Sequence, residues 1–331
     1  MKILIRIIIW GVGILAIVAA CGVGYLFVAF PKASTPSAIK VASTPELLAR
    51  GEYLTLHVVG CVGCHSEQDQ DKFALPIKAG TFGKGGEVFD ERNHLPGAIY
   101  AKNITPAAIG SWTDGELLRA MTEGVSKDGT ALFPIMPYTH FGKMDEQDLH
   151  AVVAYIRTLK AIENPIPARR LMFPMNLITR TIPGPASFTK RPPPSDKVAY
   201  GKYMVNASSC SECHTPIDDR GQPLPGMDFA GGQEFMILKT GYRVNSGNIT
   251  PDADTGIGSL TEEQFIDKFK GFETPSDATL TDPEQRQNTV MPWTSFAGMT
   301  REDLGAIYAY LRTIKPVTNR VNKHPDSKPV S

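Results

Sequence analysis

Two five-residue stretches decide the fold of this chain: Cys61-Val62-Gly63-Cys64-His65 and Cys210-Ser211-Glu212-Cys213-His214. Both follow the pattern Cys-x-x-Cys-His, which is typical of covalent attachment of a c-type haem. On a helical turn the two thiols reach the two vinyl groups of one haem, and the adjacent imidazole points at the iron. The sequence therefore predicts two covalently bound haem c groups, with Cys61, Cys64, Cys210 and Cys213 as attachment sites and His65 and His214 as iron ligands.

Other interpretations of paired cysteines explain less of the pattern. A four-cysteine zinc site would have to join two pairs that lie far apart in the chain, and a redox dithiol needs only the cysteines. Neither accounts for the histidine that follows each pair.

The two motifs lie in segments that repeat one another, residues 45–165 and 195–318. Each segment opens with Gly-x-Tyr, passes Asn-Ile-Thr-Pro at 103–106 or 248–251, and reaches a predicted capping box. Those boxes are Thr113 with Glu116, and Thr261 with Gln264. Each segment closes on an amphipathic helix, and neither shows the alternation typical of strands. We therefore predict an all-α fold with two tandem domains.

The N-terminus carries a candidate membrane span, because residues 7–30 contain no charge. As a helix they would be about 36 Å long, and a hydrocarbon core is about 30 Å thick. Lys2 and Arg6 precede the span and favour a cytoplasmic N-terminus. A cleaved signal peptide, or acylation of Cys21 in a lipobox-like setting, are the alternatives. All three place the rest of the chain outside the cytoplasm.

The remaining segments complete the predicted organisation. Residues 1–30 are the transmembrane anchor, 31–45 a low-complexity tether, 46–163 and 196–318 the two domains, 164–195 a Pro-rich interdomain segment and 319–331 a tail. The apolar stretch 171–178 is expected to lie against one or both domains. Lys plus Arg (34) balance Asp plus Glu (34), which excludes broad electrostatic binding of nucleic acid.

A haem iron that only transfers electrons usually has a second axial ligand, and methionine is a common one. Met136 and Met291 occupy equivalent positions in the repeats, and each is followed by proline and an aromatic residue. Met144 and Met299 are a second aligned pair. Asp145 and Thr300 are predicted N-caps, which gives this second pair a packing role before the closing helices. Met136 and Met291 are therefore the predicted distal ligands.

Histidine is the alternative distal ligand. The first repeat contains four further histidines, namely His57, His94, His140 and His150. His140 is close enough to Met136 in sequence to be an alternative for the first haem. The second repeat has no histidine besides His214, so a second imidazole ligand is not expected there.

These motifs give the chain after residue 45 a family resemblance. The shared features are the Cys-x-x-Cys-His motifs, Asn-Ile-Thr-Pro followed by Ile-Gly-Ser, the stretch from Phe133 to Tyr138, and the closing Ala-Tyr-Ile/Leu-Arg-Thr. The sequence resembles membrane-bound cytochrome c subunits of periplasmic alcohol and sugar-acid dehydrogenases and related class I cytochromes c. The resemblance implies two tandem cytochrome c domains in which each methionine before proline is a distal ligand. Such subunits typically carry three haems and often a C-terminal anchor, whereas this chain has two motifs and an N-terminal anchor.

The predicted function is electron transfer by a dihaem protein anchored in a bacterial inner membrane, with its haem domains in the periplasm. The expected donor is a dehydrogenase or a quinol-oxidising complex, and the expected acceptor is a terminal oxidase or another cytochrome. No residue is predicted to do substrate chemistry. The alternatives are a dihaem cytochrome c peroxidase, or the dedicated cytochrome subunit of one periplasmic dehydrogenase. A dihaem thiosulfate dehydrogenase is not expected, because the cysteine ligand of that group has no candidate outside the anchor.

Overall fold

The computed structural model describes residues 1–327, which form mainly helices joined by long irregular loops. A single N-terminal helix, α1 (Lys2–Ala29), precedes two similar sets of helices. The first set comprises α2 (Pro45–Tyr53), α3 (Cys61–Cys64), α4 (Pro106–Ile109), α5 (Asp114–Glu123), α6 (Tyr138–Phe141) and α7 (Glu146–Ile156). A short helix, α8 (Met175–Ile178), lies between the sets. The second set comprises α9 (Lys197–Ala207), α10 (Cys210–His214), α11 (Glu262–Lys270), α12 (Asp282–Gln285), α13 (Trp293–Phe296) and α14 (Arg301–Leu311).

Each repeat is built on a tight crossing between its first and last long helices, α2 with α7 and α9 with α14. A Cβ atom at Gly51 would lie 2.0 Å from the backbone oxygen of Ala151, and one at Gly201 would lie 1.8 Å from that of Ala306. Real Cβ atoms do not approach backbone oxygens so closely, so both crossings require glycine. The glycine of Gly-x-Tyr is therefore a packing residue.

The predicted helix caps are confirmed. Both capping boxes are present, Thr113 with Glu116 and Thr261 with Gln264. Asp145 and Thr300 cap α7 and α14 through their side chains. The apolar stripes of these two closing helices are buried, and they share one hydrophobic cluster with α2, α5, α9 and α11. One continuous core therefore runs through both repeats.

A π-helix, Leu54–Val58, follows α2 directly and has no counterpart after α9. The amide of Val59 donates to the carbonyl of Leu54 at 2.8 Å, which closes the wider turn. The chain from Gly51 to Cys61 is one residue longer than the chain from Gly201 to Cys210. A π-turn absorbs one extra residue inside a helix, so the cysteine motif keeps its place despite the insertion.

The expectation that strands are absent is wrong, because five short strands occur in the described residues. One antiparallel sheet has the order β1 (Val88–Phe89), β2 (Gly97–Tyr100), β3 (Arg170–Leu171), and a second pairs β4 (Glu234–Met236) with β5 (Arg243–Asn245). In the first sheet Val88 pairs with Tyr100, and Gly97 pairs with Leu171. Strands of two to four residues are too short to show alternation in the sequence.

Residues 31–45, predicted to be a tether, are extended and lie against α5. The amide of Ser34 donates to Glu123 at 2.7 Å, and that of Val41 donates to Asp114 at 2.8 Å. The backbone of Ser37 lies where a Cβ atom of Gly115 would be. The segment therefore fixes the end of α1 relative to the first repeat.

The segments after the two repeats also pack on them. Strand β3 pairs with β2, and the amide of Ser187 donates to the carbonyl of Gly142 at 2.8 Å, so the backbone of the interdomain segment lies against the first repeat. In the apolar stretch 171–178, which was expected to make this contact, Met172, Phe173 and Ile178 are nevertheless exposed. After the second repeat, Asn319 donates to the carbonyl of Ala230 at 3.0 Å. Asn164 makes the equivalent bond in the first repeat, to Lys84 at 3.0 Å. Residues 328–331 of the predicted tail lie outside the described residues.

The repeats meet through a reciprocal pair of tyrosines. The hydroxyl of Tyr53 donates to the carboxylate of Asp303, and the hydroxyl of Tyr203 donates to that of Asp148 at 2.7 Å. Each tyrosine belongs to Gly-x-Tyr of one repeat, and each aspartate lies in the first turn of the closing helix of the other. The two repeats are thus related by an approximate twofold exchange of hydrogen bonds.

The negative charges of Asp148 and Asp303 are balanced in different ways. Asp148 is 2% exposed and accepts two bonds of 2.9 Å from Arg50 and one of 2.6 Å from Arg191. Asp303 is 5% exposed and forms no ion pair with any residue in 1–327. Its neighbours are the hydroxyl of Tyr53 across the interface and the hydroxyl of Tyr200 in its own repeat.

We predict that Tyr53→Phe lowers the free energy of unfolding by about 1 to 3 kcal/mol, because it removes a donor from a buried carboxylate. Tyr203→Phe should lower the free energy of unfolding by less, because Asp148 still accepts hydrogen bonds from Arg50 and Arg191. Urea unfolding of the full chain in detergent measures both changes. Tyr155→Phe is the matched control, because its hydroxyl is 3.5 Å from Glu52 at the surface. An equal or larger loss for Tyr203→Phe would contradict this account of the interface.

Candidate functional site

Each cysteine motif forms a single helical turn that starts after a residue in the left-handed conformation. Helix α3 follows Gly60 (φ 67°), and α10 follows Ser209 (φ 52°). The two cysteines of each motif are three residues apart, which places them on one face of the turn. All four are free thiols, so no disulfide competes for them. In the first motif, Val62 between the cysteines is 1% exposed and anchors the turn in the core.

The imidazole after each pair is fixed through one ring nitrogen. Nδ1 of His65 lies 2.6 Å from the backbone oxygen of Lys102, and Nδ1 of His214 lies 2.7 Å from that of Gly247. A carbonyl oxygen only accepts, so Nδ1 donates and Nε2 carries the lone pair. Burial lowers the pKa of both histidines, which favours the neutral ring. A neutral imidazole held through Nδ1 is the form that binds a metal through Nε2.

The Asn-Ile-Thr-Pro motif holds these carbonyl groups in place. Asn103 directly follows Lys102, and its side chain donates to the carbonyl of Ile162 at 2.8 Å. Its oxygen accepts from the amide of Thr105, also at 2.8 Å. In the second repeat, Asn248 makes the same two bonds, to Val317 at 2.7 Å and from Thr250 at 2.9 Å. The motif therefore ties the loop before it to the chain that leaves the closing helix.

A glycine completes each histidine loop from the other side. The amide of Gly85 donates to the carbonyl of His65 at 2.8 Å, and that of Gly231 donates to the carbonyl of His214 at 2.7 Å. Both glycines have a φ of 70°, and a Cβ atom at Gly85 would lie 2.5 Å from the backbone of Lys102. Only glycine allows this approach. Neither glycine is among the site residues predicted from the sequence, although their equivalent positions in the two repeats are a signal for them.

The two methionine pairs occupy different environments. Met144 and Met299 are 0% and 1% exposed and lie in the continuous core, so their predicted packing role is confirmed. Met136 and Met291 are half-buried and lie outside helices, immediately before the prolines that precede α6 and α13. The carbonyls of both accept a 2.7 Å bond from the amide two residues later. Met136 and Met291 therefore lie at the edge of the core with partly accessible side chains, in the same local turn of both repeats.

His140, the alternative distal ligand, is engaged elsewhere. Its Nδ1 lies 3.1 Å from the side-chain oxygen of Asn206, and its Nε2 lies 2.7 Å from Glu212. The amide nitrogen of Asn206 donates to the carbonyl of His140 at 3.0 Å, which fixes the orientation of that amide. Both ring nitrogens therefore face the second repeat. This arrangement disfavours His140 as an iron ligand.

The two cysteine motifs lie on the same core, because Cys61 and Cys210 both pack against it. Desolvation raises the pKa of the Cys213 thiol to about 12, and the neighbouring Glu212 carboxylate raises it further. His57, four residues before the first motif, also contacts the carbonyl of Ser295 at 2.9 Å. In each repeat, a residue in or just before the cysteine motif thus contacts the short helix that follows Met136 or Met291 in the other repeat, His57 with Ser295 and Glu212 with His140.

The donor set fits the predicted group. Each site offers two free thiols on one face of a turn, an imidazole with Nε2 available, and a half-buried thioether that lies outside the helices. In residues 1–327 there is no group of three or more His, Cys, Asp and Glu side chains arranged to hold a metal ion. The described residues therefore do not bring the two cysteine pairs together as a four-cysteine zinc site.

Comparison with known proteins supports this assignment, although no family model matches the chain. It is 29% identical over 300 residues to the cytochrome c subunit of the quinone alcohol dehydrogenase of Gluconacetobacter polyoxogenes, covering 84% of this chain and 58% of that subunit. It is 28% identical over 301 residues to the fructose dehydrogenase cytochrome subunit of Gluconobacter japonicus (86% and 55%). It is 27% identical over 260 residues to a dihaem c-type cytochrome of Cereibacter sphaeroides (67% and 82%).

The extent of these matches differs. The chain spans 58% and 55% of the lengths of the two dehydrogenase subunits, but 82% of the dihaem cytochrome. The similarity in all three cases covers two thirds or more of this chain. As its motifs predicted, the chain is a homologue of the cytochrome c subunits of dehydrogenases and of a dihaem c-type cytochrome.

Proposed function

We propose that this chain is a membrane-anchored dihaem c-type cytochrome that transfers electrons between a periplasmic or membrane donor and a respiratory acceptor. The observation that carries the proposal is the duplicated site, in which His65 and His214 each bind a backbone carbonyl through Nδ1 beside a pair of free thiols. Residues 46–163 and 196–318 would be the two cytochrome c domains.

The proposed roles follow from the environments of the side chains. Cys61, Cys64, Cys210 and Cys213 would hold the two haems through thioether bonds, and His65 and His214 would bind the irons through Nε2. Met136 and Met291 would be the distal ligands. When bound, haem c supplies one-electron transfer between Fe(III) and Fe(II). With a histidine and a methionine on each iron, no position would remain for a substrate, and the role of these residues would be to hold and orient the two groups.

The contacts between the repeats support electron transfer within the chain. His140 of the first repeat lies 2.7 Å from Glu212 inside the second cysteine motif, and His57, just before the first motif, lies 2.9 Å from the carbonyl of Ser295. Together with the bonds from Tyr53 and Tyr203, these contacts hold the two sites in one arrangement. Electrons can then enter at one site and leave at the other without a change in conformation.

The donor and acceptor are proposed from the chemistry and from the relatives. A dehydrogenase or a quinol-oxidising complex would be the donor, and a terminal oxidase or another cytochrome the acceptor. The second candidate function is a dedicated subunit of one periplasmic dehydrogenase, because two of the relatives are subunits of that kind. A dihaem peroxidase is disfavoured, because both repeats keep the same turn at Met136 and Met291.

Helix α1 supports membrane attachment. It is 28 residues long, and its most apolar 18-residue stretch has a mean hydropathy of 2.6 and no buried residue. It is long and apolar enough to be a membrane anchor or a signal sequence. We propose an uncleaved anchor in the bacterial inner membrane with the haem domains in the periplasm. That α1 continues past Cys21 to Ala29 as one helix favours this over lipidation at Cys21.

The purified protein should contain two haems per chain that resist acid-acetone extraction, because four thioether bonds hold them. A pyridine haemochrome assay combined with amino-acid analysis measures the ratio. Replacing Cys210 and Cys213 by serine should halve it and leave the first site loaded. One haem per chain in the wild type, or bound zinc, would contradict the proposed attachment.

Met136→His and Met291→His should each remove about half of the near-infrared iron-to-methionine charge-transfer band, because each affects one of two haems. Each should also lower the reduction potential of one haem, since a thioether favours Fe(II) more than an imidazole does. Spectroelectrochemical titration of the full chain measures both effects.

Met144→Leu and Met299→Leu are the matched controls for those variants. Both side chains are core residues, so a swap of similar volume should cost less than about 1.5 kcal/mol and leave the band intact. Loss of the charge-transfer band in either control would contradict the proposed ligands, because it would show that Met144 or Met299 binds the iron.

Removing residues 1–30 and adding a cleavable signal peptide should give a soluble, haem-loaded protein. The anchor provides the apolar area that holds the chain in the bilayer. Carbonate extraction and a salt wash of membranes, followed by haem staining, measure the distribution. A truncated protein that stays with the membrane would show that α1 is not the main attachment.

A further inference from the structure

A second apolar surface lies outside the membrane helix, on the segment between the two repeats. Met172, Phe173 and Ile178 are 53%, 79% and 43% exposed. They follow one another over seven residues, and we call them the 172–178 patch. Large apolar side chains grouped on a surface mark an interaction site more often than scattered ones do.

The patch is held on a rigid support. Strand β3, directly before it, pairs with β2, and the amide of Met172 donates to the carbonyl of Pro96 at 3.0 Å. On the other side Thr179 is fully buried and donates to the carbonyl of Met175 at 2.7 Å. The exposed side chains therefore project from a segment that is fixed to the first repeat.

The patch lies beside the end of α1. Arg180, two residues after Ile178, donates to the carbonyl of Phe30 at 2.8 Å, and its guanidinium lies 4.5 Å from the centre of the Phe27 ring. An arginine on the last carbonyls of a helix satisfies groups that the helix leaves unpaired. If α1 spans the membrane, this contact places the patch at the level where the helix leaves the bilayer.

The charges around the patch suit a lipid surface. Residues 164–195 contain five basic residues and no Asp or Glu, and residues 1–45 also contain no acidic residue. Three of the five, Arg169, Arg170 and Arg180, lie within three residues of the patch, whereas Lys190 and Arg191 follow later in the chain and Arg191 pairs with Asp148 at 2.6 Å. Basic side chains near a bilayer are attracted to anionic headgroups, and aromatic and long apolar side chains insert at the headgroup boundary.

We propose that the 172–178 patch inserts into the headgroup boundary of the bilayer that α1 spans, and that it orients the first repeat on the membrane surface. The inference rests on the proposed anchor, and its labelling test also uses the proposed attachment of both haems. Three side chains bury too little area to hold the chain on their own, since even one myristoyl chain binds only marginally. The patch therefore orients a protein that α1 already attaches, and the truncated chain stays soluble.

The test uses the full, haem-loaded chain in vesicles of phosphatidylcholine and phosphatidylglycerol. Cys21→Ser removes the one thiol that the proposed haem attachment leaves free. A nitroxide is attached after Phe173→Cys, or after Ile178→Cys as a second position. The matched control is Ile217→Cys in the second repeat, where the side chain is 40% exposed. Electron paramagnetic resonance measures how often the nitroxide collides with oxygen, which dissolves in the bilayer, and with a nickel chelate, which stays in water. At the two patch positions we expect more collisions with oxygen than with the chelate. At the control position we expect more collisions with the chelate.

If the protein resists carbonate extraction but the nitroxide is equally accessible to the nickel chelate at the patch and control positions, the proposed insertion is wrong. The proposed anchor is then unaffected. Release of the protein by carbonate would overturn the anchor and the patch together. Dipolar coupling between nitroxides of different chains would show that the patch binds a second copy instead. Haem absorption unchanged from the wild type confirms that each labelled variant is folded.

Discussion

The structure depends on how two imidazole rings are held. A histidine can bind iron through Nε2 only if its ring is neutral and its orientation is fixed, and a hydrogen bond from Nδ1 to a carbonyl does both. The carbonyls of Lys102 and Gly247 accept that bond. The Asn-Ile-Thr-Pro loops, the glycines at 85 and 231, and the chain leaving each closing helix all contribute to placing these two oxygens. Much of the sequence that the two repeats share therefore serves to place the carbonyl that accepts a hydrogen bond from Nδ1 of the histidine.

The second constraint is that the two sites keep a fixed relation to one another. The exchange of hydrogen bonds between Tyr53 and Asp303, and between Tyr203 and Asp148, joins the first helix of each repeat to the closing helix of the other. These are the helices whose crossing requires glycine, so the interface is built on the most closely packed part of each repeat. The π-helix shows that the cysteine motif kept this position despite a one-residue insertion.

The sequence predicted the elements that depend on local chemistry. Capping boxes, N-caps and apolar stripes identified the helices, and the cap at Asp145 correctly assigned Met144 to the core. Asp148 and Asp303 looked like ordinary first-turn acids, because nothing near them in sequence reveals a tyrosine of the other repeat. The carbonyl acceptors of the histidines carry no side-chain signal, and only the repetition of Asn-Ile-Thr-Pro pointed to their loops. The packing of residues 31–45 depends on backbone contacts that composition does not encode.

The central claim is that each repeat holds one haem iron between a histidine and a methionine. Proton NMR of the fully reduced protein in detergent micelles tests it most directly, because the methyl group of an axial methionine lies over the haem ring and its resonance moves far upfield. The account predicts two separate three-proton resonances upfield of the ordinary methyl region, one for Met136 and one for Met291. A spectrum with one such resonance, or with none, would contradict it.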